Sequence, residues 1–156
     1  DLRDGEVAKI ISKLQDLPGQ DLFQYIDDNG EVRDVGSQDV NDYLREITNK
    51  DFTAKDFRTW AGTLLSALAL DAQGGFETKT QAKANIKTAI CAVAELLGNT
   101  PTICRRCYVH PAVLETYSAA AQIPGLRQAM QKSGARRLRS AETAVLRFLR
   151  SQVGKI

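Results

Sequence analysis

The sequence has 156 residues, of which 43% are hydrophobic and 26% are charged, and its formal net charge is +2. This composition excludes a disordered chain, and the length suits one compact domain over residues 1–156. No apolar run approaches the roughly 18 residues of a membrane span, and residues 1–6 lack the pattern of a secretory signal, so we expect a cytoplasmic protein that does not bind a membrane.

The first predicted elements are a helix and a hairpin. Apolar residues at helical spacing predict a helix over residues 6–17, which Pro18-Gly19 ends. The β-prone stretches 22–26 and 31–35 flank Asp28-Asn29-Gly30, whose residues favour a tight turn. A short hairpin is therefore expected.

Two further helices follow the hairpin. Ser37 is the predicted N-cap of the first, and Asn49 lies at its exit. Residues 53–56 have the outline of a capping box, which predicts the start of a buried helix. The apolar face of the first helix is predicted to contain Val40, Tyr43, Leu44 and Ile47, and that of the second Phe57, Trp60, Ala61, Leu64, Leu65 and Leu68.

Gly74-Gly75 separates the buried helix from a long one predicted over residues 78–97, with Gly98 as its C-terminal stop. Thr100-Pro101 combines an N-cap with a proline at the first helical position, and predicts a short helix that carries residues 104–108.

The last part of the chain also predicts helices. His110-Pro111 interrupts the short helix, and a further helix follows Pro111. Ile123-Pro124-Gly125 and Ser133-Gly134 are predicted breaks, and Ser140 is the predicted N-cap of the final helix. The sequence thus predicts a mainly α, compact multi-helix domain with at most a short β-hairpin near the amino end.

The charge is divided unevenly along the chain. Residues 1–100 contain 11 Lys and Arg against 17 Asp and Glu, whereas residues 101–156 contain 10 against 2. Basic side chains contact phosphates, so the last third is a plausible surface for a polyanion such as nucleic acid. A basic run such as residues 132–139 is more often a solvated surface, and charge alone leaves this alternative open.

The chain has three cysteines, Cys91, Cys104 and Cys107. An odd and small number argues against a disulfide framework, so we expect free thiols. Cys104, Cys107 and His110 have a spacing that suggests zinc. A structural zinc site uses four ligands, however, and Cys91 lies in an unrelated apolar stretch, so no metal site is expected.

Three stretches together resemble the type IB DNA topoisomerases, most closely their bacterial branch, which is similar to the small poxvirus enzymes. They are residues 17–25 (LPGQDLFQY), residues 53–63 (TAKDFRTWAGT), and residues 97–101 (LGNTP) leading to residues 108–111 (YVHP). Each stretch is weak alone, but their order and spacing make the match specific. The resemblance spans nearly the whole chain.

The resemblance implies a reaction and a partner. A tyrosine of that family attacks a phosphodiester of double-stranded DNA, which gives a 3′-phosphotyrosyl link and a free 5′-hydroxyl. The broken strand swivels, and the reverse reaction reseals it. No ATP, metal or other cofactor is required, because cationic and hydrogen-bonding side chains stabilise the transition state. The resemblance further implies the catalytic fold shared with tyrosine recombinases, a monomer, and association with the bacterial nucleoid.

Tyr108 stands at the family's nucleophile position, nine residues after Asn99. Phenols are mostly protonated at neutral pH, so a neighbouring cation or a proton acceptor must favour the phenolate as attack begins. Arg105 and Arg106 are near in sequence, but the resemblance assigns this task to no single residue. From the residues alone, the favoured interpretation of Tyr108 is a half-buried tyrosine with its hydroxyl satisfied, like Tyr25, Tyr43 and Tyr117.

Arg58 matches the arginine of the family's Lys-x-x-Arg helix start, and its implied role is to hold a non-bridging oxygen of the scissile phosphate. A planar and permanently charged fork suits that role. The residues expected to contact DNA are Lys55, Thr100, Arg105 and Arg106. A solvated position on the helix surface is the alternative for Arg58 and Lys55.

Asn99 occupies a position where many family members have histidine. Its amide can donate a hydrogen bond to a phosphate oxygen, although without a positive charge. From the residues alone, Asn99 is a turn residue after the helix-ending Gly98. His110 is the only histidine and does not match the family's catalytic one, so we do not expect it to be a general base.

Two residues that the family uses have no match here. They are a second arginine and a lysine on a β-hairpin, and the lysine protonates the departing 5′-oxygen. Lys9 and Lys13 lie on the first predicted helix and do not match that hairpin. We therefore expect a catalytic fragment without the amino-terminal DNA clamp and the catalytic hairpin, inactive or weak by itself.

Two other functions are compatible with the sequence. A tyrosine recombinase or integrase shares this chemistry, but its His-x-x-Arg box would place histidine at position 55, where Lys55 stands, and Thr59-Trp60 is closer to the topoisomerase pattern. A non-catalytic DNA-binding module would also explain the basic last third.

Overall fold

The protein is described by a computed structural model over residues 4–19, 21–131 and 135–153, with only the backbone described at residues 135 and 136. The mainly helical architecture and the short hairpin near the amino end are confirmed. The chain divides into two compact units, residues 1–54 and residues 55–156. No helix among the described residues is long and apolar enough to span a bilayer.

The first unit contains two helices and a hairpin, and a long helix begins at its last residue. The elements in chain order are α1 (Gly5–Gln15), β1 (Gln24–Ile26), β2 (Val32–Asp34), α2 (Ser37–Thr48), α3 (Ala54–Gln73), α4 (Lys79–Leu96), α5 (Pro101–Ile103), a π-helical turn (Cys104–Tyr108), α6 (Pro111–Ala120), α7 (Leu126–Met130) and α8 (Ala135–Gln152).

Asp27 organises the turn of the hairpin, in which β1 and β2 pair antiparallel. Its Oδ1 accepts from the backbone N–H groups of Asn29 and Glu31, at 2.9 and 3.0 Å, and its Oδ2 accepts from Nε of Arg33 at 3.0 Å. The Glu31 N–H and then the Arg33 guanidinium hold the pKa of Asp27 below its ordinary value, because both stabilise the charged carboxylate.

The predicted amphipathic face of α2 is present in sequence, but most of it is not buried. Val40, Tyr43 and Ile47 remain 41%, 60% and 58% exposed. Among the described residues of the first unit, Gln24 alone is buried. The described residues of this unit therefore contain no buried apolar side chain, and helical spacing alone could not show that.

The predicted start of α2 is wrong by one residue. Gly36 is the N-cap and Ser37 is the first helical residue, because Asp39 Oδ2 accepts from the Gly36 N–H at 2.7 Å and so closes the first turn. Asn49 ends the helix in the left-handed conformation, with φ of 49°, as its position at the exit predicts.

Helix α3 begins at Ala54, directly after Thr53, where the motif places it, and all its other residues belong to the second unit. The buried face differs from the predicted one. Phe57 is 51% exposed, whereas small and polar positions of the helix are fully covered. The buried residues of α3 are Gly62, Thr63, Leu64, Ser66, Ala67 and Leu70.

The long helix α4 lies against α5, the π-helical turn and α6, and α7 lies against α8. Thr78 caps the start of α4 by accepting the Gln81 N–H at 3.1 Å. The buried core of the unit contains Leu64, Ala67, Leu70, Ile86, Ala89, Ile90, Val93, Ala94, Cys104, Val109, Val113, Leu114, Tyr117, Ile123, Leu126, Ala141, Val145 and Phe148.

Tyr117 ties three segments of this core together. Its side chain is fully buried, and its hydroxyl accepts from Asn85 Nδ2 at 2.7 Å and donates to the Gly74 carbonyl at 2.8 Å. Its ring packs against Phe76, with the ring centroids 5.4 Å apart. The hydroxyl thus links α6 to α4 and to the loop between α3 and α4.

The end of α4 is a Schellman motif. Gly98 adopts φ of 64°, and its N–H donates to the Glu95 carbonyl at 3.1 Å, while the Asn99 N–H donates to the Ala94 carbonyl at 2.8 Å. The predicted role of Gly98 as a helix stop is confirmed, because a left-handed residue is needed there.

The last helix begins earlier than predicted. Ser140 lies inside α8 and is not its N-cap, because residues 135–139 (ARRLR) are strong helix formers that extend the helix toward the amino end. The break predicted at Ser133-Gly134 lies outside the described residues. The break at Ile123-Pro124-Gly125 separates α6 from α7, a short helix that the sequence did not predict.

Candidate active site

Arg58 projects from the first turns of α3 and reaches the end of α4. It is partly buried, and its Nη2 donates to the Leu97 carbonyl at 2.7 Å. The last carbonyls of a helix lack intrahelical partners and lie at the negative end of the helix dipole. A guanidinium is a favourable partner there, so α4 helps to fix the position of Arg58.

Asn99 shares this acceptor with Arg58. Its Nδ2 donates to the Leu97 carbonyl at 2.8 Å, while the Schellman motif fixes its backbone. An amide and a guanidinium therefore converge on one oxygen atom. The turn role that the residues alone favour for Asn99 is present in the geometry, and its role as a donor to a phosphate oxygen stays a prediction.

Tyr108 is the last residue of the π-helical turn and is partly exposed. Thr100 caps the start of its segment by accepting the Ile103 N–H at 3.3 Å. The Cζ atom of Arg58 lies 5.1 Å from the centroid of the Tyr108 ring, within the range of a cation–π interaction. The structure thus brings together Arg58, Asn99 and Tyr108, although Arg58 and Tyr108 are 50 residues apart in the sequence.

Two residues of α3, Gly62 and Thr63, lie against the backbone of Tyr108. Sequence reasoning missed both. Thr63 Oγ1 donates to the Tyr108 carbonyl at 3.3 Å and accepts from the His110 N–H at 3.1 Å. A Cβ atom at Gly62 would lie 2.5 Å from the Tyr108 carbonyl oxygen. The available signal was a glycine inside a helix, which costs about 1 kcal/mol relative to alanine and often marks a close approach.

The four residues expected to contact DNA are exposed. Lys55 lies three residues before Arg58 on α3, which places the two on neighbouring positions of the helix surface. Thr100 starts the segment that leads to Tyr108, and Arg105 and Arg106 lie within the π-helical turn. Their contact with DNA remains a prediction.

The three cysteines and His110, some of which have a spacing that suggests zinc, lie in different surroundings from one another. Cys91, Cys104 and Cys107 are free thiols, and burial raises the pKa of Cys104, which packs in the core. Nδ1 of His110 accepts from the Ala112 N–H at 3.2 Å and so caps α6. In the described part of the chain, no group of three or more His, Cys, Asp and Glu side chains could hold a metal ion.

The site provides a hydroxyl nucleophile next to a permanent cation and a neutral amide donor. Attack by an oxygen on a phosphodiester builds up negative charge on the non-bridging phosphate oxygens, and converging donors stabilise that charge. Arg58 and Asn99 can supply such donors, and Tyr108 can supply the attacking oxygen. The arrangement is suited to phosphoryl transfer to tyrosine.

Two comparisons match the chain to known proteins. A family model described as the catalytic core of eukaryotic DNA topoisomerase I matches residues 1–135. The DNA topoisomerase 1B of Acanthamoeba polyphaga mimivirus is 34% identical over 114 residues, which are 69% of this chain and 34% of the viral protein. The chain thus spans about a third of the length of that relative. The residues matched by the family model include Arg58, Asn99 and Tyr108.

Proposed function

The chain belongs to the family whose model describes the catalytic core of eukaryotic DNA topoisomerase I, and from this membership we propose that it is a catalytic part of a type IB DNA topoisomerase. The enzyme of which this chain is the catalytic part relaxes supercoiled double-stranded DNA by breaking and resealing one strand without ATP. A tyrosine recombinase is not favoured, because both matches are to topoisomerases.

In the proposed reaction Tyr108 attacks the scissile phosphate. A bond forms between its phenolic oxygen and phosphorus as the phenolic proton leaves, and the bond between phosphorus and the 5′-oxygen breaks. The 5′-oxygen takes up a proton and departs as a hydroxyl group, which leaves a 3′-phosphotyrosyl link. The reverse sequence reseals the strand.

One observation supports these roles above all. The guanidinium of Arg58 and the amide of Asn99 donate to a single oxygen, the Leu97 carbonyl, while Arg58 lies over the Tyr108 ring. Side chains that converge on one acceptor beside a nucleophile have the geometry needed to hold a phosphate oxygen. In the proposal, a non-bridging oxygen of the scissile phosphate accepts from these two side chains when DNA is bound.

The finer assignments are part of the same proposal. We place the protein in the bacterial branch of the family, in the cytoplasm with the nucleoid, and as a monomer on DNA. Lys55, Thr100, Arg105 and Arg106 contact the DNA backbone. Their exposure and the basic charge of residues 101–156 support this role.

A substrate with sulfur in place of the 5′-bridging oxygen tests the function with the chain itself. A thiolate is a far weaker base than an alkoxide and leaves without a proton donor. The purified chain, at high concentration, should form a covalent adduct with such a duplex that survives SDS. Tyr108→Phe should form none, because it lacks the attacking oxygen, while its DNA binding stays nearly unchanged.

Tyr43→Phe is the matched control, since it removes the hydroxyl of an exposed tyrosine on α2. It should form adduct at the level of the parent chain. Adduct from Tyr108→Phe would show that another residue is the nucleophile. No adduct from the parent on the sulfur substrate would refute the proposed chemistry of this chain.

A further inference from the structure

Thr63 forms both of its side-chain hydrogen bonds with the segment that carries Tyr108. It lies on α3, five residues after Arg58, and is only 2% exposed. A hydroxyl group donates one hydrogen bond and accepts others. Thr63 uses both capacities, because its Oγ1 donates to the carbonyl of Tyr108 and accepts from the N–H of His110.

These backbone groups lie where regular structure is interrupted. The π-helical turn ends at Tyr108, Val109 is extended with φ of −116° and ψ of 122°, and α6 begins at Pro111. Val109 is buried, so backbone groups beside it have restricted access to water. A buried backbone group without a partner costs free energy, and the Thr63 hydroxyl provides a partner on each side of Val109.

Gly62 allows this contact to form. A Cβ atom at this position would lie 2.5 Å from the Tyr108 carbonyl oxygen and 3.0 Å from Tyr108 Cβ. The same helix carries Arg58, whose guanidinium lies over the Tyr108 ring. Helix α3 therefore contacts Tyr108 twice, at its backbone through residues 62 and 63 and at its ring through Arg58.

We propose that Thr63 is a positioning residue of the reaction, which sets the location of the Tyr108 phenol relative to Arg58 and Asn99. This inference rests on the proposed function of the site. Thr63 does not touch the reacting atoms. It fixes the backbone from which the nucleophile projects, and displacing a reacting group by about 1 Å can cost on the order of a hundredfold in rate.

The first test is Thr63→Val, which keeps the shape of the side chain and removes the hydroxyl. With the 5′-bridging sulfur duplex, the maximal rate of adduct formation should fall by about 10- to 100-fold. The half-saturating DNA concentration should hardly change, since Thr63 is buried. Thr63→Ser keeps the hydroxyl and should recover most of the rate.

Thr143→Val is the matched control. Its hydroxyl donates to the Arg139 carbonyl on the exposed side of α8, and its loss should leave the rate of adduct formation unchanged. Should Thr63→Val fail to fold, Thr63→Ser and Thr63→Ala replace it in the comparison. Both lack the methyl group and differ only in the hydroxyl, so only Thr63→Ala should be slow.

Amide hydrogen exchange at His110 provides a readout that does not depend on DNA. Loss of the acceptor in Thr63→Val should speed this exchange by about tenfold or more, and Thr63→Ser should not. If Thr63→Val formed adduct as fast as the parent, the positioning role alone would be overturned. Equal losses of rate in Thr63→Ser and Thr63→Val would overturn it as well. Absence of adduct from the parent would overturn the proposed function, and the positioning role with it.

Discussion

Gly62 marks the closest approach between α3 and the segment that carries Tyr108. Alanine is favoured over glycine inside a helix by about 1 kcal/mol. At this site, however, the added Cβ would meet the Tyr108 backbone, which cannot move aside as a flexible side chain can. Overpacking of this kind costs about 1–3 kcal/mol, so Gly62→Ala should lower the free energy of unfolding measured in urea.

Gly5→Ala is the control for that substitution. Gly5 is the first residue of α1, and a Cβ atom there would meet no atom of the described residues within 4 Å. This variant should be neutral or slightly stabilising. If Gly62→Ala were stabilising as well, the close contact between α3 and Tyr108 would be refuted.

Arg58 makes two contacts at once. Its guanidinium donates to the Leu97 carbonyl and lies over the Tyr108 ring. Because charge develops on the phosphate oxygens in both directions, Arg58→Ala should slow cleavage and religation alike. The expected loss is about 3–4 kcal/mol of transition-state stabilisation, or on the order of 10² to 10³ in rate.

Single-turnover rates of both steps, measured in a chain competent for relaxation, would check this expectation. Lys55→Ala is the matched control, since Lys55 lies on the same helix and is exposed. It should weaken DNA binding with little effect on the rate at saturating DNA. Equal rates for Arg58→Ala and the parent would remove Arg58 from the site.

At the scale of the elements, the Tyr117 hydroxyl links α6 to α4 and to the loop before α4. Tyr117→Phe would leave the partly buried Gly74 carbonyl and Asn85 amide without this partner. Such a loss costs about 1–3 kcal/mol. Thermal and urea unfolding should show it, whereas Tyr43→Phe, at a 60% exposed position, should stay within about 0.5 kcal/mol of the parent. Equal stabilities of the two variants would contradict the role of the Tyr117 hydroxyl.

The order of helices and the hairpin could be predicted from the sequence, because caps, turn residues and helical spacing are local signals. The helix start at Ser140 was wrong because the strong helix formers before it outweigh one good cap residue. The buried face of α3 was only partly predicted. Small side chains such as Thr63 and Ser66 are buried by what packs on them, which a single helix does not reveal.

The same contrast applies to the candidate site. Motif resemblance selected Arg58, Asn99 and Tyr108, and the structure brings these three together. Their shared acceptor, the Leu97 carbonyl, is a backbone atom that no motif can specify. The bonds of Thr63 connect positions 45 and 47 residues apart, so only the fold could show them.

For the whole molecule, the prediction is about the activity of residues 1–156 by themselves on supercoiled plasmid. The resemblance implies that the lysine which protonates the departing 5′-oxygen has no match in these residues, and we expect the chain to lack this proton donor. General acid catalysis contributes about 10² to 10⁴ in rate, so this chain should not relax an ordinary supercoiled plasmid efficiently. It should still form the Tyr108 adduct on the sulfur substrate.

Agarose gels of plasmid treated with the purified chain would check this expectation, with a complete type IB enzyme as the positive control. Relaxation at a comparable rate would show that these 156 residues supply their own proton donor. The expectation of a fragment without its acid would then be wrong. The assignment of Tyr108 would be unaffected, because it is tested separately with Tyr108→Phe.

The π-helical turn before Tyr108 has a consequence for how this segment tolerates change in length. A π-helical ring contains one residue more than an α-helical ring, and successive residues of an α-helix are rotated by about 100° around its axis. The turn has already absorbed one extra residue, so deleting a residue within it should restore an ordinary helical turn and leave the direction of the phenol nearly unchanged. Inserting one more residue between Thr100 and Tyr108 should instead rotate the phenol away from Arg58, so this segment should tolerate the loss of a residue better than the gain of one.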